Sequence, residues 1–272
     1  MSAPTALING EPGCHIAVSD RGLAYGDGVF ETLAVNAAQP IDFDAHWQRL
    51  KRGSQRLRLP CPSADTLRTD LARLSLPERA VLKIILTRGS GGRGYRAPEA
   101  PEPTRIVSLH PFPDYPDHWS SQGVKVRVCQ TRLGLNPGLA GLKHLNRLDN
   151  VLARSEWHDT QIAEGIMLDI EDWVIEGTQS NLFCVANGLL YTPELNRCGV
   201  AGITRDKILD IARRLGLTAI ECRLTLSQLY QADELFLTNT LIGLWPIRQL
   251  EQQTFQAGPV SRRLQQALGI SC

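Results

Sequence analysis

The stretch Asn136-Pro-Gly-Leu-Ala-Gly-Leu-Lys-His-Leu-Asn-Arg-Leu148 sets a single lysine, Lys143, among apolar neighbours. A lone lysine is most often a solvated surface charge. This one is flanked by Leu142 and Leu145 and preceded by Gly141, so we expect it to be partly buried. Burial lowers the pKa of a lysine, and the neutral amine is the form that condenses with a carbonyl group. The stretch therefore predicts a lysine suited to Schiff-base chemistry.

Two segments downstream of the lysine place polar groups at the terminus of a predicted element, one at the end of a strand and one at the start of a helix. Glu176 lies in Val174-Ile-Glu-Gly-Thr-Gln-Ser-Asn-Leu-Phe183, where an apolar strand meets a polar turn, and a glutamate there commonly does no more than end a strand. Gly199-Val-Ala-Gly-Ile-Thr-Arg-Asp206 opens a helix predicted over 204–215. The free N–H groups and the positive dipole end of such a helix suit a phosphate, although most helix starts bind nothing.

A glycine-rich loop upstream, Gly89-Ser-Gly-Gly-Arg-Gly94, matches the pattern G-x-G-x-x-G. A dinucleotide site needs a helix directly after these glycines, and the prolines of Tyr95-Arg-Ala-Pro-Glu-Ala-Pro-Glu-Pro103 exclude one. We therefore reject a Rossmann fold. The loop also brings Arg88, Arg93 and Arg96 together, either as a solvated basic hairpin or as a clamp for carboxylates, which guanidinium groups bind bidentately.

Composition and charge exclude several classes of partner. Lys and Arg total 29 and Asp and Glu 28, a formal charge of +1, which offers no basic surface for nucleic acid or for a membrane. No apolar run approaches the ~20 residues of a membrane helix, and no signal peptide opens the chain. Seven cysteines without a C-x-x-C pair, and histidines without ligand spacing, predict no disulfide framework and no metal. We expect a soluble cytoplasmic protein.

The order of predicted elements indicates an α+β fold in two lobes. Three prolines in His110–His118 predict an extended linker over 114–121, between an N-terminal lobe of residues 1–113 and a C-terminal lobe of residues 122–272 that carries most of the site. The predicted helices lie at 44–57, 63–74, 145–157 and 204–215. The predicted strands lie at 6–10, 15–18, 29–35, 80–87, 104–109, 124–128, 165–169, 173–175, 181–185, 217–224 and 234–237.

Together these segments resemble one family, the fold-type IV pyridoxal-phosphate enzymes, which include D-amino-acid and branched-chain aminotransferases. The resemblance runs from Ser19-Asp-Arg-Gly-Leu-Ala-Tyr-Gly-Asp-Gly-Val-Phe-Glu31 to Thr238-Asn-Thr240, nearly the whole chain. Within the family, Thr87-Arg-Gly-Ser-Gly-Gly-Arg-Gly-Tyr95 and the 136–148 stretch are most similar to the 4-amino-4-deoxychorismate lyases. The resemblance implies a two-lobed α+β architecture of the D-amino-acid aminotransferase type, and a homodimer with the site near the interface.

The resemblance also implies roles for single residues, with pyridoxal 5'-phosphate as the cofactor. Lys143 is similar to the lysine that carries the cofactor as a Schiff base, and Glu176 to the carboxylate that pairs with the pyridinium nitrogen. The residues implied at the cofactor phosphate are Arg49, Ile203, Thr204 and Thr240. Asn239 stands where aminotransferases often have a small hydroxyl residue. Arg93 and Tyr95 fall on the family's substrate-binding loop.

The activity implied by the narrower resemblance is the conversion of 4-amino-4-deoxychorismate to 4-aminobenzoate and pyruvate, a step of folate biosynthesis. Lys143 would remove the proton from the carbon that bears the amino group. One alternative is a D-amino-acid or branched-chain aminotransferase on the same scaffold, since the cofactor residues would be identical. Another is a non-catalytic protein that binds small anions, although binding alone needs neither Lys143 nor Glu176.

Overall fold

The computed structural model describes residues 5–269, which fall into two compact units. The first contains the chain up to Pro113 together with Leu142–Asn146, and the second contains Asp114–Gly141 and the chain from Arg147 onward. The fold is α+β. Each unit is built around its own sheet and its own hydrophobic core.

The first unit is an antiparallel sheet of six strands in the order β2-β1-β6-β5-β3-β4. Its elements are β1 (Ala6–Ile8), β2 (Glu11–Pro12), α1 (Arg21–Tyr25), β3 (Gly28–Asn36), β4 (Gln39–Pro40), α2 (Phe43–Arg56), α3 (Ala64–Ala72), β5 (Arg79–Thr87) and β6 (Thr104–His110). Leu33 of β3, Leu50 of α2 and Leu67 of α3 are among the apolar side chains buried together, so the two longer helices cover the sheet.

The second unit has nine strands, eight of them in the order β12-β11-β10-β13-β14-β7-β8-β9, with β15 paired to β14. Its elements are α4 (His118–Gln122), β7 (Val124–Val128), α5 (Leu148–Arg154), β8 (Ile162–Leu168), β9 (Val174–Gly177), β10 (Asn181–Ala186), β11 (Leu189–Pro193), α6 (Ile203–Arg214), β12 (Ala219–Cys222), α7 (Leu226–Tyr230), β13 (Glu234–Asn239), β14 (Gly243–Leu250), β15 (Gln253–Thr254) and α8 (Pro259–Ala267). Phe183 and Phe236 stack between β10 and β13, with ring centroids 5.0 Å apart, beneath α6 and α8.

Most predicted elements are present, and the rejected Rossmann motif has no helix after it in the described stretch 89–103. The helix predicted over 145–157 is shorter, Leu148–Arg154. Residues 142–146, predicted to lie in the C-terminal lobe, belong to the first compact unit. Part of the predicted linker forms α4. No helix among residues 5–269 is long and apolar enough to cross a membrane.

Candidate active site

Lys143 lies in an extended segment that is hydrogen-bonded to the edge of β3. The Phe30 N–H donates to the Lys143 carbonyl (2.9 Å), and the Leu145 N–H donates to the Gly28 carbonyl (3.0 Å). This pairing explains both differences noted above, because it keeps residues 143–145 extended and joins them to the first unit. The half-buried side chain places Nζ 4.4 Å from the centroid of the Phe30 ring. The amine is therefore held against apolar ring surface, as its leucine flanks predicted.

Arg49, the predicted phosphate ligand of the first unit, is held by a buried glutamate. Arg49 Nε and Nη2 donate to the two carboxylate oxygens of Glu31, at 2.9 and 2.6 Å. His46 Nδ1 lies 2.6 Å from Glu31 Oε2. Glu31 and His46 are each 1% exposed and Arg49 is 8% exposed. A bidentate pair at this depth fixes the plane of the guanidinium.

The charges in this cluster are set by competition between burial and pairing. Burial alone would raise the pKa of Glu31, but the Arg49 charge and the hydrogen bonds from Arg49 and His46 hold this pKa below its usual range. Burial lowers the pKa of His46, against the opposing pull of Glu31. His46 is therefore a neutral imidazole that donates its Nδ1–H to Glu31. The ionised Glu31 carboxylate is the anion that pairs with the Arg49 cation.

The three arginines of the glycine-rich loop, expected to lie together, separate in the structure. Arg88 is buried and donates to both carboxylate oxygens of Asp27, at 2.8 and 3.0 Å, and to two carbonyls at the end of α2. Arg96 pairs with Glu99 at 3.0 Å in solvent. Arg93 is exposed, and so is Tyr95, whose ring meets that of Tyr25 edge-on at 5.5 Å. Arg88 is therefore a buried structural residue, and it belongs neither to a solvated hairpin nor to a clamp with the other two arginines.

Glu176, at the end of β9 in the second unit, is 3% exposed. Its Oε2 accepts a hydrogen bond from the Val200 N–H at 2.8 Å. Gly199, with φ of +81°, lets the loop approach, because a Cβ there would lie 2.8 Å from Ile175 Cγ2. Glu176 thus binds the main chain of the loop that precedes α6, and it does more than end a strand.

The start of α6 combines open backbone donors with a close glycine contact. Among residues 5–269, no side chain caps this helix at Gly202. Asn181 Nδ2 donates to the Val200 carbonyl at 2.9 Å, and a Cβ on Gly202 would stand only 2.0 Å from Asn181 Oδ1. Ile203 and Thr204 occupy the first two helical positions, where N–H groups and dipole favour an anion.

The turn after β13 carries Thr240 and is built by Asn239. Asn239 Oδ1 accepts from the Leu241 and Ile242 N–H groups, at 2.8 and 3.0 Å, and Nδ2 donates to the Gln179 carbonyl at 3.1 Å. Asn239 is therefore a residue that shapes the turn. Next to it in β13, the Oγ1 of fully buried Thr238 has no hydrogen-bond partner among the described residues.

Sequence reasoning missed Glu31, His46 and Asn181. Glu31 did leave a signal, because it shares the inward-facing positions of β3 with Val29, Leu33 and Val35. An acidic residue in that alternation needs a buried cation. The signal from His46 is its i, i+3 spacing to Arg49 on one helix face.

The model of the amino-transferase class IV family matches residues 28–250. The chain belongs to this family. An aminodeoxychorismate lyase of Vibrio harveyi is 36% identical over 263 residues, 95% of this chain and 97% of that protein. The crystal structure of a 4-amino-4-deoxychorismate lyase from Pseudomonas aeruginosa is similar with a TM-score of 0.93 and 45% identity, over 97% of each chain. The branched-chain amino acid aminotransferase of Escherichia coli gives a TM-score of 0.85 at 29% identity, over 98% of this chain and 94% of that one.

The class IV family consists of pyridoxal-phosphate enzymes, and the polar groups described here fit that cofactor. A phosphate suits a helix start without a side-chain cap, such as that of α6, and the buried Thr238 hydroxyl, which has no partner among the described residues, is a polar group of the second unit that a bound anion could use. A buried carboxylate suits a protonated ring nitrogen, and a lysine suits an aldehyde.

Proposed function

We propose that this chain is an aminodeoxychorismate lyase that converts 4-amino-4-deoxychorismate to 4-aminobenzoate and pyruvate with pyridoxal 5'-phosphate, in folate biosynthesis. The observation that carries the proposal is the likeness to the Pseudomonas aeruginosa lyase along nearly the whole of both chains. The reaction balances without a further reactant: the carbon that bears the amino group loses a proton, the C–O bond at the neighbouring carbon breaks, and the departing enolpyruvate takes up a proton to become pyruvate.

In the proposed site, Lys143 would serve the aldehyde of the cofactor and Glu176 its ring nitrogen. When bound, pyridoxal phosphate supplies an electron sink for the carbon next to the substrate nitrogen. Lys143 Nζ takes the proton from that carbon, and the Phe30 ring keeps the amine partly out of water. The Glu176 carboxylate holds a proton on the ring nitrogen by a charge-assisted hydrogen bond.

The phosphate is proposed to bind Arg49, the N–H groups of Ile203 and Thr204, and Thr240. Glu31 presents Arg49 and Asn239 presents Thr240. Donors held this way need no reorganisation when the anion arrives, which favours tight binding. Arg93 and Tyr95 are proposed to meet the substrate, whose two carboxylates suit an arginine.

A product assay tests the activity. Protein supplied with the cofactor and 4-amino-4-deoxychorismate should release pyruvate and 4-aminobenzoate in equal amounts. Amino transfer to a keto acid at a comparable rate, without 4-aminobenzoate, would instead establish the second candidate, a branched-chain or D-amino-acid aminotransferase. That candidate is favoured by the likeness to the Escherichia coli aminotransferase, which is the weaker of the two.

Borohydride trapping tests the lysine independently of substrate. Reduction of the cofactor-loaded protein should attach the cofactor to the peptide containing Lys143, identified by mass spectrometry. Lys143→Ala should lose this label, its visible absorbance and nearly all turnover, whereas Lys125→Ala, a surface change in β7, should keep all three. Label on any other lysine contradicts the assignment.

We also propose a cytoplasmic homodimer. The cysteines of the described chain are unpaired thiols, which fits a reducing compartment. Helix α5 exposes Leu148, Val151 and Leu152, at 74%, 55% and 59%, an apolar strip that a second copy would cover. Leu152→Glu should give a monomer by light scattering, where the unchanged protein gives a dimer.

A further inference from the structure

The substrate loop, residues 91–96, is attached at its base by main-chain hydrogen bonds to the segment before α1. The Arg21 N–H donates to the Gly89 carbonyl at 2.9 Å, and the Gly91 N–H donates to the Ser19 carbonyl at 3.2 Å. Beyond Gly91 the loop leaves this ladder. Tyr95 is 88% exposed, so burial of its side chain gives the loop tip little support.

The tip is held by the guanidinium of Arg21. Nη1 donates to the carbonyls of Gly94 and Arg96, at 3.0 and 3.4 Å, and Nη2 donates to the carbonyl of Tyr95 at 3.1 Å. Three successive main-chain acceptors thus share one cation. Because the acceptors are backbone carbonyls, the hydrogen bonds from Arg21 fix the path of the loop without involving the side chains of Arg93 and Tyr95.

Arg21 is itself rigidly placed, which makes it an effective anchor. It is 3% exposed, its Nε donates to Asp27 Oδ2 at 3.0 Å, and its guanidinium lies 4.8 Å from the centroid of the Tyr25 ring. Asp27 is held from the other side by Arg88. The Tyr25 hydroxyl also accepts from the Gly94 N–H at 3.2 Å.

Two glycines of the loop are explained by this anchor. Gly94 has a φ of +89°, a conformation that glycine adopts without strain. A Cβ on Gly91 would come within 2.8 Å of Arg21 Cδ, in the middle of the arginine side chain. Gly92 differs, since a Cβ there meets nothing within 4 Å.

We propose that Arg21 is the positioning residue of the substrate loop, holding the main chain of residues 94–96 so that Arg93 and Tyr95 meet the carboxylates of the substrate. The inference rests on the proposed function for the identity of that substrate. The structural part of the inference, that Arg21 orders the loop, is supported by the hydrogen bonds alone.

The test uses the cofactor-loaded protein and two readouts. Trypsin cleaves after Arg93 and Arg96, which are exposed, and mass spectrometry measures the cleavage rates at these two bonds. Steady-state kinetics measures KM and kcat for 4-amino-4-deoxychorismate. The variants are Arg21→Met, the conservative Arg21→Lys, Gly91→Ala and the control Gly134→Ala, at a glycine outside the loop where a Cβ would meet nothing within 4 Å.

Arg21→Met should speed cleavage and raise KM, each about tenfold or more, the factor expected for losing one charge-assisted hydrogen bond. The visible cofactor band should be unchanged. Arg21→Lys should recover part of both effects, Gly91→Ala should show both more weakly, and Gly134→Ala should match the unchanged protein. Gly91→Ala keeps the test decisive should Arg21→Met fail to fold.

Cleavage rates and KM that stay unchanged in Arg21→Met and Gly91→Ala would overturn the inference. Faster cleavage with an unchanged KM would also overturn it, because the loop would then be ordered for another purpose. If the unchanged protein releases no 4-aminobenzoate, the proposed function fails separately, and aminotransferase kinetics on the same variants decides whether the loop serves substrate.

Discussion

Replacing Glu31 by Gln should both destabilise the first unit and weaken cofactor binding. Gln keeps the size of the side chain but removes its charge, and it turns one of the two oxygens facing Arg49 and His46 into an amide donor. Glu31 is 1% exposed and Arg49 8%, so solvent cannot replace the lost partner. The arginine would be left as a buried cation beside a neutral group.

The size of the effect follows from that burial. Removing one partner of a buried ion pair costs about 3–5 kcal/mol of folding free energy. A charge-assisted hydrogen bond contributes roughly 1.5–3 kcal/mol, so loss of the fixed Arg49 orientation should weaken cofactor affinity roughly ten- to a hundredfold. Asp44→Asn, which removes an exposed pair with Arg68 at 2.6 Å, should change either quantity little.

Urea unfolding of the cofactor-free protein measures the stability, and titration of the visible band measures the affinity. The dependence of stability on pH gives a second test of the same role. The native pKa of Glu31 is lowered, so its contribution is present above the usual carboxyl range and is lost as pH falls through the lowered value. Glu31→Gln should therefore lose less stability on acidification than the unchanged protein. A variant with the original urea midpoint and affinity would refute the assigned role of Glu31.

Three further changes probe the second unit. Gly202→Ala should weaken cofactor affinity about tenfold, because its Cβ would displace Asn181 or the start of α6, whereas Gly134→Ala, whose Cβ meets nothing within 4 Å, should not. Asn239→Ala should cost about 1–3 kcal/mol in urea unfolding, since two turn N–H groups lose their acceptor. Burial raises the pKa of Glu164, so its contribution to stability is lost as pH rises from the usual carboxyl range through the raised value. Glu164→Gln should remove this loss, so that the urea midpoint of the variant depends less on pH there.

Local sequence signals predicted the regular elements well. The helix predicted over 63–74 is α3, and Ser63, at the start of that range, caps it by accepting from the Thr66 N–H at 3.0 Å. The aliphatic run of β5 and its pairing with β6 also follow from composition and from bounding glycines. Helix α5 was predicted three residues too early, because the main-chain pairing of Leu145 with Gly28 is a tertiary contact that no propensity reveals.

The roles of single arginines were harder to predict. Arg88 and Arg93 stand five positions apart in one basic segment, yet one is buried and the other exposed. The difference comes from Asp27, which lies 61 positions before Arg88 and meets it only after β3 and β5 pair. Similarly, Arg49 could be assigned to a phosphate from the resemblance, but its partner Glu31 could not.

The two kinds of contact described here constrain the sequence to different degrees. Arg49 is held through side-chain carboxylate oxygens at 2.6 and 2.9 Å inside the protein, where a change of residue leaves a buried charge unpaired. The substrate loop is held through its main-chain carbonyls, so the exposed side chains at positions 93 and 95 are free to vary while its path is kept. Substrate choice can therefore change at the loop without disturbing the groups proposed for the cofactor.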